Sequence, residues 1–167
     1  MLYNKNEKNG GIHMLKIGIV GTGHMGKYHI NTLSMISNID FCSICDINED
    51  EVKNLARKYN VKAFTDYESF LQSVDAVIIA VPTYLHYKYA STALMKGKHV
   101  LVEKPITKTL YFAEKLFNIA VQKKLILQVG HVERFNAAVQ ELTNIVNEPY
   151  LIQAQRMGPQ SRIRDVG

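Results

Sequence analysis

The 167-residue sequence has no apolar run approaching the roughly 18 residues that would cross a bilayer. Its densest apolar stretch, Ala76 to Val81, is only strand-sized, so no membrane partner is expected. The residues from Met1 to His13 are polar and rich in Asn and Lys; they contain no h-region, and a cytoplasmic protein is expected. There is no internal repeat, no low-complexity segment and no linker after residue 14. Lys and Arg exceed Asp and Glu by 20 to 15, giving a net charge of +5, yet the lysines are scattered and form no basic run. That distribution argues against nucleic acid, and an anionic small molecule suffices as the partner.

Cysteine is also scarce. The two present, Cys42 and Cys45, form a C-x-x-C string inside Ile39-Asp40-Phe41-Cys42-Ser43-Ile44-Cys45, which reads as a strand. Side chains alternate along a strand, so positions three apart are expected on opposite faces. A redox pair of this spacing sits instead at a helix N-terminus. Buried, reduced thiols and no metal site are the expectation.

What is present is ordinary globular material, 47% hydrophobic and 21% charged. A chain this long can bury roughly 70% of its unfolded surface around one core. Apolar runs and helical periodicities alternate along it. Strands are expected over 15–20, 39–45, 61–64, 76–80, 99–102 and 125–129. Helices are expected over 24–36, 48–59, 66–73, 83–96 and 107–123, with Met25, His29, Leu33 and Ile36 forming the apolar stripe of the first. Asn48, Glu49 and Asp50 supply a cap and dipole partners for the second helix. This rhythm predicts an α/β fold, a Rossmann-type doubly wound parallel sheet in the order 3-2-1-4-5-6. Residues 1–13 read as a flexible extension, 14–131 as a dinucleotide-binding domain, and 132–167 as the start of a truncated second α+β domain.

Gly21-Thr22-Gly23-His24-Met25-Gly26 matches G-x-G-x-x-G. Glycine turns are common, but this one follows a strand and opens a helix, the context in which the pattern cradles a pyrophosphate. Gly21 suits a tight turn, Gly23 a close backbone approach to phosphate, and Gly26 close helix–strand packing. Asp46, about 20 residues beyond Gly26, ends the second strand, where a carboxylate accepts from the adenosine ribose hydroxyls. No arginine adjoins it to receive a 2′-phosphate, so NAD is the expected cofactor. The alternative for Asp46 is a capping role at Asn48.

Ligands in such sheets bind at the carboxyl ends of the strands. Those ends offer Pro82 and Thr83 after strand four, Glu103, Lys104 and Pro105 after strand five, and His131 after strand six. His29 and His86 are expected to be structural. The combination of GTGHMGKYH, AVPTYLH and VLVEKPI resembles the glucose–fructose oxidoreductase/inositol dehydrogenase (Gfo/Idh/MocA) family. That resemblance implies an NAD-dependent oxidoreductase acting on a sugar hydroxyl, with Lys104 orienting the hydroxyl beside the nicotinamide. A solvated strand-end lysine is the alternative for Lys104.

The stretch from Gly130 through Arg134 to Pro159 is similar to one branch of that family, the UDP-N-acetylglucosamine 3-dehydrogenases, although Ala137 stands where the branch usually has proline. The resemblance makes His131 and Arg134 candidate substrate contacts. Arg134, Arg156, Arg162 and Arg164 would suit a diphosphate-bearing substrate. Family members run to about twice this length. Their second half carries an Asp-x-x-x-His pair, the expected general base, and the surface expected to make homo-oligomers. No histidine follows His131 here, so the chain alone is expected to be inactive. The competing reading is a dinucleotide-binding module without catalysis.

Overall fold

A computed structural model describes residues 14–153 and 155. The expected extension over 1–13 lies outside the described residues, as do Arg156, Arg162 and Arg164. In chain order the elements are β1 (Lys16–Val20), α1 (His24–Leu33), β2 (Asp40–Cys45), α2 (Glu49–Tyr59), β3 (Lys62–Phe64), α3 (Tyr67–Gln72) and β4 (Ala76–Ile79). They continue with α4 (Thr83–Met95), β5 (His99–Val102), α5 (Leu110–Lys123) and β6 (Leu127–Val129). A 3-10 turn (Val132–Phe135) and α6 (Ala137–Ile145) follow.

The sheet runs β3-β2-β1-β4-β5-β6 with every pair parallel, the order the βαβ rhythm predicts. Parallel neighbours need crossovers, and right-handed crossovers put α1 and α2 on one face and α3 to α5 on the other. β4 shows the division most plainly. Ile78 packs with Ile30 and Val52 under the first pair of helices, while Val77 and Ile79 pack with Phe70, Leu94 and Leu116 under the rest. A strand buried on both faces needs its continuous apolar run.

Local chemistry sets the boundaries. Asn48 caps α2 by accepting from the Glu51 N–H, and Glu49, Asp50 and Glu51 fill its first turn. Gly97, at φ +77°, ends α4. Helix α5 starts at Leu110 rather than Thr107, because the Thr107 hydroxyl bonds the Thr109 carbonyl and Thr109 becomes the cap. In α1 the buried residues are Gly26, Ile30 and Leu33; of the predicted stripe Leu33 is buried and His29 half-buried. Met25 and Ile36 are exposed, Ile36 because the helix ends at Leu33.

The cysteines also differ from expectation. Ile17 pairs with Phe41 but Gly18 pairs with Ser43, so Cys42 is an extra residue in a bulge. The bulge resets the alternation. Cys42 and Cys45 therefore pack against the same cluster, on the α3–α5 face. Both are free thiols.

One face stays partly bare. On the α1–α2 side, Ile17, Ile78, Leu101 and Ile126 line a groove of about 700 Å³ across β4 to β6. Among the described residues no helix is long and apolar enough to cross a membrane.

Candidate functional site

The carboxyl ends of β1, β2, β4 and β5 open into one crevice of about 460 Å³, within the range of small-molecule sites. Its floor is the turn from β1 into α1. Gly21 sits at φ +91°, and a Cβ there would lie 2.6 Å from the Ala80 carbonyl oxygen. A Cβ on Gly26 would stand 1.9 Å from the Gly21 carbonyl oxygen, so only glycine lets α1 leave the turn at this angle. Gly23 is different. Nothing lies within 4 Å of where its Cβ would be, and that open space is the approach a diphosphate needs. The backbone N–H groups opening α1 have no side-chain cap, and its first turn holds no acidic residue, which leaves the positive end of the helix dipole available to an anion.

Asp46 closes one end of the crevice. Its Oδ2 accepts from the Thr22 N–H at 2.6 Å and from Thr22 Oγ1 at 2.9 Å, and its Oδ1 accepts from the Asn48 N–H at 3.0 Å. The carboxylate thus braces both the phosphate loop and the turn into α2. Two oxygens offer about four acceptor positions, so three donors leave room for a ribose hydroxyl. The ribose role and the bracing role expected as alternatives are compatible.

At the other end Lys104 lines the crevice with Glu103, Val81, Pro82 and Thr83. The Lys104–Pro105 peptide is cis. The Lys104 side chain is exposed, and its ammonium makes no ion pair among the described residues. Glu103, by contrast, is 6% exposed. Pro105 does not line the crevice; its carbonyl oxygen lies 2.8 Å from Nδ1 of buried His86. His29 meets Glu103 at 2.7 Å, which supports a hydrogen-bonded role at the edge of the site. His24 and Met25 line the crevice, while Thr22 and Gly26 sit behind it.

His131 and Arg134 are exposed and are not among the residues lining the crevice. His131 stands at the start of the 3-10 turn that leads away from β6. The lining residues that the sequence reading gave no place at the site include Ile47, Leu85 and Tyr89, besides the strand ends Val20 and Ala80; His86, expected to be structural, lines it too. Ile47, one position past Asp46, is 89% exposed at the edge of the crevice. Leu85 and Tyr89 share an i, i+4 face of α4 that periodicity alone assigns to the core. Burial pushes the Tyr89 phenol up, so it stays protonated at neutral pH.

An oxidoreductase family described as having an NAD-binding Rossmann fold, Gfo/Idh/MocA, matches residues 15–131. The UDP-N-acetylglucosamine 3-dehydrogenase of Acidithiobacillus ferrooxidans is 33% identical over 149 residues, covering 89% of this chain and 47% of that protein. A solved structure of that enzyme superposes with a TM-score of 0.74 over 79% of this chain and 43% of its own. An inositol 2-dehydrogenase/D-chiro-inositol 3-dehydrogenase from Lacticaseibacillus casei is 28% identical over 157 residues, 87% of this chain and 45% of that one. A scyllo-inositol dehydrogenase from Lactobacillus casei, solved with NAD(H) and scyllo-inositol, gives a TM-score of 0.73 at 28% identity, over 79% of this chain and 41% of its own. The chain spans a little under half the length of these relatives.

Proposed function

This chain belongs to the Gfo/Idh/MocA oxidoreductase family, and from that premise we propose that it is the NAD-binding half of a dehydrogenase that oxidises a sugar hydroxyl. The substrate we assign is C3 of UDP-N-acetylglucosamine or a related nucleotide sugar, with residues 14–131 as the cofactor domain and 132–167 as the start of a second one. The observation that carries this reading is a single crevice with the glycine turn and Asp46 at one end and, at the other, Lys104, whose ammonium makes no ion pair among the described residues.

The residues fit the cofactor. Open space over Gly23 and uncapped N–H groups would hold the pyrophosphate, and the spare acceptor of Asp46 would hold the ribose. NAD, when bound, would accept the hydride from the sugar carbon. Lys104 would donate to the reacting hydroxyl oxygen and stabilise the charge that develops on it. An ammonium that donates cannot also take the proton. The base belongs to the half of the family's length that this chain does not span, so we expect the chain to bind NAD without turning over sugars.

Calorimetry on the 167-residue chain tests this. NAD is expected to bind more tightly than NADP, because a 2′-phosphate would meet the Asp46 carboxylate. Tighter binding of NADP, or steady NADH production from UDP-N-acetylglucosamine by the chain alone, would overturn the corresponding half of the proposal.

A further inference from the structure

Two histidines hold the residues on either side of Lys104, and neither has a place in the chemistry above. His29, on α1, sets its Nε2 2.7 Å from Glu103 Oε1. The other oxygen of Glu103 accepts the Lys104 backbone N–H at 3.2 Å. The Glu103 side chain is 7% exposed. The end of β6 makes room for it: a Cβ on Gly130 would stand 3.3 Å from the Glu103 carboxyl carbon and both oxygens. On the opposite side His86, 1% exposed, places Nδ1 2.8 Å from the Pro105 carbonyl oxygen and Nε2 2.9 Å from that of Val81. A carbonyl only accepts and a neutral imidazole carries one N–H, so His86 donates to one of these two carbonyls at a time.

An apolar pair of similar volume would fill this space without burying a carboxylate, which is costly unless fully bonded. The polar groups are spent on direction instead. Glu103 is tied to α1 and to the Lys104 amide, Pro105 lies against His86 of α4, and the lysine between them makes no ion pair among the described residues. We infer that His29 and His86 are positioning residues for Lys104, His29 acting through Glu103 and His86 through Pro105. The inference rests on Lys104 meeting the substrate hydroxyl, as proposed above. A lysine carries its charge on a flexible four-carbon stem, so fixing the backbone at its root is the available way to aim it. A misplacement of about 1 Å costs on the order of a hundredfold in rate. Because α1 also presents its N-terminus to the diphosphate, the same helix registers the cofactor and the lysine against each other.

Amide hydrogen exchange on the ¹⁵N-labelled 167-residue chain tests the inference. His29→Ala is expected to speed exchange at the Lys104 amide by about tenfold, the scale of one lost charged hydrogen bond. The amides of Ile19 and Ile79, in β1 and β4, are expected to keep their protection. His29→Gln, whose amide nitrogen can donate to the same oxygen, is expected to restore Lys104. His86→Leu, which bonds neither carbonyl, is expected to speed Lys104 with the same confinement. Unchanged exchange at Lys104, acceleration spread evenly to Ile19 and Ile79, or failure of His29→Gln to rescue would each overturn the inference. A parallel NAD titration separates the two claims. An unmodified chain that does not bind NAD overturns the functional reading, whatever the exchange shows. Normal NAD binding with Lys104 exchange indifferent to His29 overturns the positioning alone.

Discussion

Helices α4 and α6 both carry apolar side chains, yet the chain uses them in opposite ways. In α4, His86, Ala90, Ala93 and Leu94 are buried against β5 and α5. In α6 no residue is buried, and Val139, Leu142 and Ile145 face outward at 38%, 55% and 68% exposure. Periodicity makes a helix possible; a partner surface makes it stable. The sheet supplies that surface to α4 from both of its flanking strands, whereas α6 touches little besides the 3-10 turn before it. The apolar groove across β4 to β6 and the apolar stripe of α6 are both left without a partner in the described residues.

The sharpest contrast is expected from Phe70→Ala. Phe70 is fully buried and touches the Gly18 backbone closely, so its loss should cost about 3–5 kcal/mol of stability. A urea midpoint close to that of the unmodified chain would mean the crevice half is no better packed than the tail.

Gly26→Ala comes next. Its methyl would meet the Gly21 carbonyl oxygen at 1.9 Å; overpacking of this kind costs about 1–3 kcal/mol. NAD affinity, read by calorimetry, should fall with it as the loop is forced aside. Unaltered affinity would show that α1 can shift without disturbing the phosphate site.

Asp46→Ala removes the acceptor for Thr22 and Asn48 together. The expected result is a loss of about 1–3 kcal/mol in NAD binding, with discrimination against NADP reduced. A loss of equal size for both cofactors would assign Asp46 to bracing alone.

A smaller effect is expected with pH. Burial, with Asp46 and Asp66 nearby, raises the Cys45 thiol from 9.0 to about 12. Above pH 9 the unfolded chain gives up this proton while the folded chain keeps it, so the unfolded state binds fewer protons and stability falls as pH rises toward 12. Below pH 9 the contribution is complete. Cys45→Ala should flatten this part of the urea midpoint–pH curve between pH 9 and 11, and alkylation of Cys45 in the folded chain should be slow at pH 8.

Smallest of all is Leu142→Ala. With its side chain outside any core, the change should stay within about 0.5 kcal/mol. A larger destabilisation would mean that α6 finds a partner in solution, either the bare groove or another copy of the chain, and sedimentation of the two variants would distinguish these.

Much of the site could be read from residue order. Gly21, Gly23 and Gly26 announce the loop because backbone geometry at a diphosphate tolerates few other residues, and Asp46 falls at a spacing set by one βαβ unit. The cores of β4 and β5 are legible because a strand covered on both faces must be apolar throughout. His29 and His86 were legible only as structural histidines, since nothing local says that Glu103 and Pro105 will be their partners. Their separations, from α1 to β5 and from α4 to the turn after β5, exist only once the sheet is assembled.

Residue sequence alone determined the parallel strand order, the glycine turn between β1 and α1 and the cofactor class, because these follow from local periodicity and from short-range steric rules. Tertiary structure alone decided three other features. The Cys42 bulge depends on how β2 registers against β1, and it put two cysteines expected on opposite faces onto the same one. On α1, Gly26 and Ile30 joined Leu33 on the buried face where Met25 and Ile36 had been expected, which depends on how the helix seats on the sheet. The contacts of Glu103 with His29 and of Pro105 with His86, on either side of Lys104, come from helices on opposite faces of the sheet. Each is a matter of which distant groups come to lie within hydrogen-bond or van der Waals distance, and no spacing along the chain encodes that.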